Sequence, residues 1–199
     1  MAAFTLRGWR GLLIFLPFAA APLLWLTFGA DPGANPIDRV IRFLGDWALR
    51  WLLITLLVSL LTRLPGCAWL HPLRRMAGLC AFFYALLHVS GYVVLDQFFD
   101  WSAIMLDLRK RPYITVGMFA FCALIPLAVT STNGWIRRLR THWRTLHRLV
   151  FPATLLALAH YYLMIKADYA LFWWHAGLGG VLLGWRVVSP VLAVKERYG

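Results

Sequence analysis

Apolar residues fill six long stretches of the chain, about 11–29, 43–62, 73–95, 112–131, 147–165 and 169–188, with polar residues gathered between them. Each stretch is close to the ~20 mostly apolar residues with which a helix crosses a bilayer. The pattern therefore predicts an all-α, polytopic membrane bundle of six transmembrane helices. Breakers stand at most of the joints: Asp31-Pro32-Gly33 and Asn35-Pro36, Leu64-Pro65-Gly66 and His71-Pro72, Arg111-Pro112, and Thr132-Asn133-Gly134. The fifth and sixth stretches meet tightly through Lys166-Ala167-Asp168. The first follows Arg7 and Arg10 as a signal peptide would, but its 18-residue apolar run exceeds an h-region of about 7–15 residues, so it reads as an uncleaved span.

Composition agrees with this reading. Of the 199 residues 61% are apolar and 14% charged, against roughly 45–50% and about 25% in soluble domains. Sixteen per cent aromatic content with 11 Trp excludes a disordered chain. Cys67, Cys80 and Cys122 are far apart and form no CxxC pair, so neither a disulfide framework nor a thiolate metal site is indicated.

The net charge of +12 would suggest nucleic acid if it lay on a soluble face, but the basic residues sit between apolar runs. Thirteen Lys and Arg fall at the N-terminus, the second and fourth connections and the C-terminal end. Six fall in the opposite connections, balanced by six Asp. Cytoplasmic segments carry the Lys/Arg excess, which predicts both termini in the cytoplasm. Connections of at most about 17 residues leave no room for a soluble catalytic domain, so residues 1–199 read as one membrane domain. No Gly-rich nucleotide fingerprint and no internal repeat is evident.

Ionisable groups inside spans mark function by default, which directs attention to the histidines. His71 and His142 fall in connections, whereas His88, His160 and His175 lie inside spans three, five and six. His88 is seven residues from the outer end of its span and His160 six from Lys166, so the two imidazoles share a depth of roughly 10 Å at 1.5 Å per residue. A b-type haem needs one neutral imidazole nitrogen from each side at matching height in an apolar slot, and spans three and five supply both. Ordinary hydrogen bonding to a carbonyl competes with this for each histidine alone, and His175 is an alternative ligand at similar depth. His147, 13 residues or about 20 Å before His160, suits a second haem whose opposite ligand is missing, because Arg74 and Arg75 occupy the corresponding level.

Arg50 lies at the depth of His88 and His160 and reads either as a propionate partner or as an i,i+4 partner of Asp46. Arg74 and Arg75 read as positive-inside anchors, with propionate or flavin phosphate as the second reading. Trp9, Trp47, Trp69, Trp101, Trp135, Trp173 and Trp174 fall near span ends, as an interfacial belt does.

Residues 84–95 (YALLHVSGYVVL), 111–117 (RPYITVG) and 129–162 (VTSTNGWIRRLRTHWRTLHRLVFPATLLALAHYY) resemble the ferric-reductase-like transmembrane family. The resemblance is strongest to its haem-binding subunits of bacterial periplasmic protein-methionine-sulfoxide reductase systems. It implies an inner-membrane electron conduit to a periplasmic molybdopterin reductase, with His88 and His160 as haem ligands and His147 as a further functional histidine. It also implies FMN, with electrons from a cytoplasmic flavin reductase or from quinol, although no residue here identifies a flavin site. The competing readings are a transmembrane ferric or other metal-ion reductase, and a haem-free transporter or structural subunit. Asp46 as the one acidic residue within a span weighs against proton coupling.

Overall fold

The computed structural model describes residues 9–28, 34–166 and 169–198, and in these every regular element is helical. Helix α1 covers Trp9–Phe28 and α2 covers Pro36–Leu61. A 3-10 turn, Ala68–Leu70, leads into α3, His71–Gly91, which passes into a π turn over Tyr92–Asp96. Then follow α4 (Trp101–Lys110), α5 (Pro112–Val129), α6 (Asn133–Leu139) and α7 (Thr141–Leu146). A second 3-10 turn, His147–Leu149, precedes α8 (Val150–Met164), and α9 spans Ala170–Tyr198. Among the described residues, α2, the continuous segment Ala68–Asp96 and α5 are long and apolar enough to cross a membrane.

Helix ends differ from the apolar stretches because caps, not hydropathy, start and stop a helix. The Asn35 side chain accepts the Asp38 N–H at 3.3 Å, and Pro36 occupies the first turn, so α2 begins seven residues before the expected span. Trp47 consequently lies well inside α2, with its ring 6.5 Å from that of Tyr84. The span expected from 147 begins as a helix only at Val150. Ahead of it Arg140 adopts φ +48°, a left-handed turn that separates α6 from α7.

The connection after α3 is partly helical as well. Phe98 and Phe99 take positive φ, 47° and 62°, reversing the chain, and Asp100 then caps α4. Its carboxylate accepts the Ser102 hydroxyl at 2.6 Å and the Ala103 N–H at 3.0 Å. These two bonds hold the carboxyl below its ordinary value of 3.8. The cap is therefore complete above that value and lost as pH falls through the lower folded one. Exchange of the Ala103 amide should accelerate in Asp100→Ala at neutral pH, and in the unaltered chain only on acidification below the ordinary carboxyl value. Equal rates in both chains at pH 7 would show that the cap contributes nothing.

Two hairpins form the centre, α2 with α3 and α5 with α8. Ala81 and Ala153 are fully buried, and Ala77 is nearly so. Small side chains at these contacts let helix backbones approach closely where lipid offers no hydrophobic drive. The Tyr84 hydroxyl donates to the Ala19 carbonyl at 2.7 Å and ties α1 to α3. The outer faces carry bare apolar side chains, with Phe119 61% and Val181 68% exposed. Such faces suit a lipid environment rather than water.

Candidate cofactor site

The two hairpins enclose a cavity of about 280 Å³ lined from α2, α3, the π turn, α5 and α8. His88 enters from α3 and His160 from α8. The Nδ1 of His88 lies 2.7 Å from the Ile41 carbonyl oxygen, and that of His160 lies 2.6 Å from the Tyr113 carbonyl oxygen. A carbonyl can only accept, so both rings carry their proton on Nδ1 and keep an Nε2 lone pair. The ring centroids are 6.1 Å apart with planes at 74°. Two metal–imidazole bonds of about 2 Å plus the two ring half-widths span roughly 6 Å. The donor set and spacing thus fit one flat iron macrocycle held from both faces.

Leu49, Leu52, Phe121 and Leu124 make the cavity wall apolar, whereas its mouth is charged, with Asp38, Arg42, Asp96 and Arg111. Arg42 Nε bonds Asp38 at 2.7 Å. Arg111 Nε meets Asp107 at 3.1 Å, and the same carboxylate accepts the Tyr92 hydroxyl at 3.0 Å. The Arg111–Asp107–Tyr92 set ties the end of α3, α4 and the start of α5 together, whereas the Arg42–Asp38 pair stays within α2.

The remaining sequence candidates lie elsewhere. Arg50 does not line the cavity; it lies 4.0 Å from Asp46, which does, and stacks over the Trp47 ring at 4.9 Å. Arg74 does not line the cavity, and Arg75 donates to the Asn133 side-chain oxygen at 2.7 Å. His147 is stacked on Trp143 with centroids 3.9 Å apart, and its Nδ1–H donates to the Trp143 carbonyl at 3.1 Å. Its Nε2 is buried without a hydrogen-bond partner. His175 donates Nδ1–H to Leu171 one turn back at 2.7 Å and meets the edge of Tyr161, standing behind the cavity lining.

Two features escaped the sequence reading. Arg42 and Arg111, not Arg50, stand at the mouth. The chain also contains a repeat, contrary to expectation: all lining residues except Asp38, Asp96 and Arg111 pair with another lining residue 72 positions away. Ile41, Gly45, Ala48, Leu52, Ala85 and His88 on one hairpin answer to Tyr113, Gly117, Ala120, Leu124, Ala157 and His160 on the other. The recurrence of a Gly 43 residues before each of these histidines was the available signal.

Residues 44–158, which contain most of this double hairpin, match the family described as ferric reductase like transmembrane component. Similar curated proteins are named protein-methionine-sulfoxide reductase heme-binding subunit MsrQ. The one from Rhodospirillum rubrum is 51% identical over 85% of this chain and 84% of its own length. That from Caulobacter vibrioides is 47% identical over 84% and 81%, and that from Xanthomonas oryzae pv. oryzae 45% over 87% and 80%. The chain belongs to the ferric-reductase-like transmembrane family, among its MsrQ members.

Proposed function

We propose that this chain is a b-haem electron-transfer subunit of the bacterial inner membrane, with the iron between His88 and His160. The observation that carries this reading is the pair of Nδ1-anchored imidazoles, 6.1 Å apart in one apolar cavity. The name of the relatives, which speaks of heme binding, supports it. Bound there, the group supplies one-electron iron chemistry. The chain's own work is to present two neutral nitrogens, exclude water with Leu49, Leu52, Phe121 and Leu124, and offer Arg42 and Arg111 to the carboxylate edge of the ring.

In this reading six helices cross the membrane with both termini in the cytoplasm, and the charged mouth faces the periplasm. Electrons leave there to a periplasmic molybdopterin methionine-sulfoxide reductase, in keeping with the reductase system in the relatives' name. They enter from a cytoplasmic flavin reductase or quinol. The basic inner connections, including Arg74 and Arg75, suit an acidic donor or a flavin phosphate such as that of FMN. A second haem is favoured by one observation, the buried and unpartnered Nε2 of His147.

Haem per purified chain, together with the acceptor that reoxidises the reduced pigment, tests the proposal. A colourless chain from haem-replete cells would reject it. Rapid reoxidation by ferric chelates with none by a methionine-sulfoxide reductase would favour the metal-ion reductase. A ratio of two that falls to one in His147→Ala would establish the second site; a ratio of one, unchanged in that variant, would dismiss it.

Arg42→Ala with Arg111→Ala removes two positive charges from the mouth. The pigment should remain, with its midpoint potential lowered by on the order of tens of millivolts, because cations favour the reduced iron. An unchanged potential in a redox titration would remove both arginines from the site.

A further inference from the structure

We propose that Gly45 and Gly117 are positioning residues, two copies of one backbone notch that seats the imidazoles of His88 and His160. The proposal rests on the haem reading for its purpose, although the notch itself is geometric. In an α-helix the carbonyl of residue i points toward residue i+4, whose N–H it accepts. Ile41 stands four residues before Gly45 and Tyr113 four before Gly117, and these are the carbonyls that accept the two Nδ1–H groups. A side chain at i+4 would cover the carbonyl; glycine uncovers it.

The fit is close on both sides. A Cβ on Gly45 would lie 3.0 Å from both Cε1 and Nδ1 of His88. A Cβ on Gly117 would lie 2.7 Å from Nδ1, 2.9 Å from Cε1 and 3.1 Å from Cγ of His160. These rings are anchored by a hydrogen bond and cannot swing away without losing it. Each notch thus fixes three properties of its imidazole together: height on the helix, tautomer and ring plane. Carbonyl partners of this kind tune the ligand and its affinity for the metal. The recurrence of notch, carbonyl and histidine at a 72-residue interval makes a coincidence of packing a poor explanation. Gly180, on α9, has nothing within 4 Å of an added Cβ and provides the control.

The test uses the full chain in detergent, prepared with haem and, from a haem-deficient host, without it. Gly117→Ala should reduce haem occupancy about tenfold to hundredfold, the range for loss of a ligand's supporting partner. Gly45→Ala, with the looser contact, should retain the pigment and shift the low-spin electron-paramagnetic-resonance g values. Gly180→Ala should change neither. In the haem-free chain Gly117→Ala should lower the unfolding temperature when His160 is present and not when it is replaced by Ala, a coupling that isolates the ring contact from general helix packing. Unaltered occupancy and g values in both glycine variants would overturn the proposal, as would equal destabilisation with and without His160. A colourless unaltered chain would instead sink the haem reading, and the haem-free cycle would still decide the notch.

Discussion

His88→Ala and His160→Ala should each abolish the low-spin b-type spectrum of the purified chain, because in the proposed arrangement either change would remove one of the two nitrogens that would hold the ring, and the apolar wall could not replace it. Occupancy should fall by an order of magnitude or more, or the remaining pigment should turn high-spin. His175→Ala should leave the spectrum as it was, since that ring donates to its own helix and stands behind Tyr161. A normal spectrum in His160→Ala with loss in His175→Ala would reassign the ligand. Redox difference spectra of the three variants at matched protein concentration decide the matter.

The second large effect is expected at the fully buried alanines of the hairpins. Ala153→Leu adds three carbons where the residue has no exposed surface, and overpacking of this kind typically costs about 1–3 kcal/mol. The strain has few outlets, because Ala81 and Ala153 belong to one packed cluster with Leu52, Trp51 and Tyr84. The unfolding temperature in detergent should drop by several degrees for Ala153→Leu and for Ala81→Leu, accompanied by loss of pigment. Phe83→Ala, at a side chain 47% exposed on the outer face of α3, should have little effect. Comparable losses in all three variants would show that the alanine contacts are not where the hairpins are held.

Depth along a span was legible in the residues, and depth is what brought His88 and His160 forward. Direction around the helix was not. Arg50 has a suitable depth, but it is five residues from Gly45, about 140° around α2 at 100° per residue, whereas Arg42 is three residues away and about 60° from the same line. Only Arg42 reaches the cavity. Hydropathy likewise locates apolar runs but not polar helical turns, so α4 and the first two turns of α2 stayed hidden among charged residues. The repeat was masked for a related reason. Its identical pairs are mainly Gly, Ala and Leu, and in a chain that is 61% apolar such matches do not stand out.

An iron protoporphyrin is not the same on both faces, since its methyl and vinyl groups run around the ring in a fixed order. The two walls are built at matching positions, but six of the eleven lining pairs differ in residue. Turning a bound ring over about the axis through its carboxylate edge would exchange one wall for the other. At Ile41 against Tyr113, Arg42 against Ile114 and Asp46 against Met118 the halves differ in size or charge, which gives the protein a means of distinguishing the two insertions, and one seating should predominate in the loaded chain.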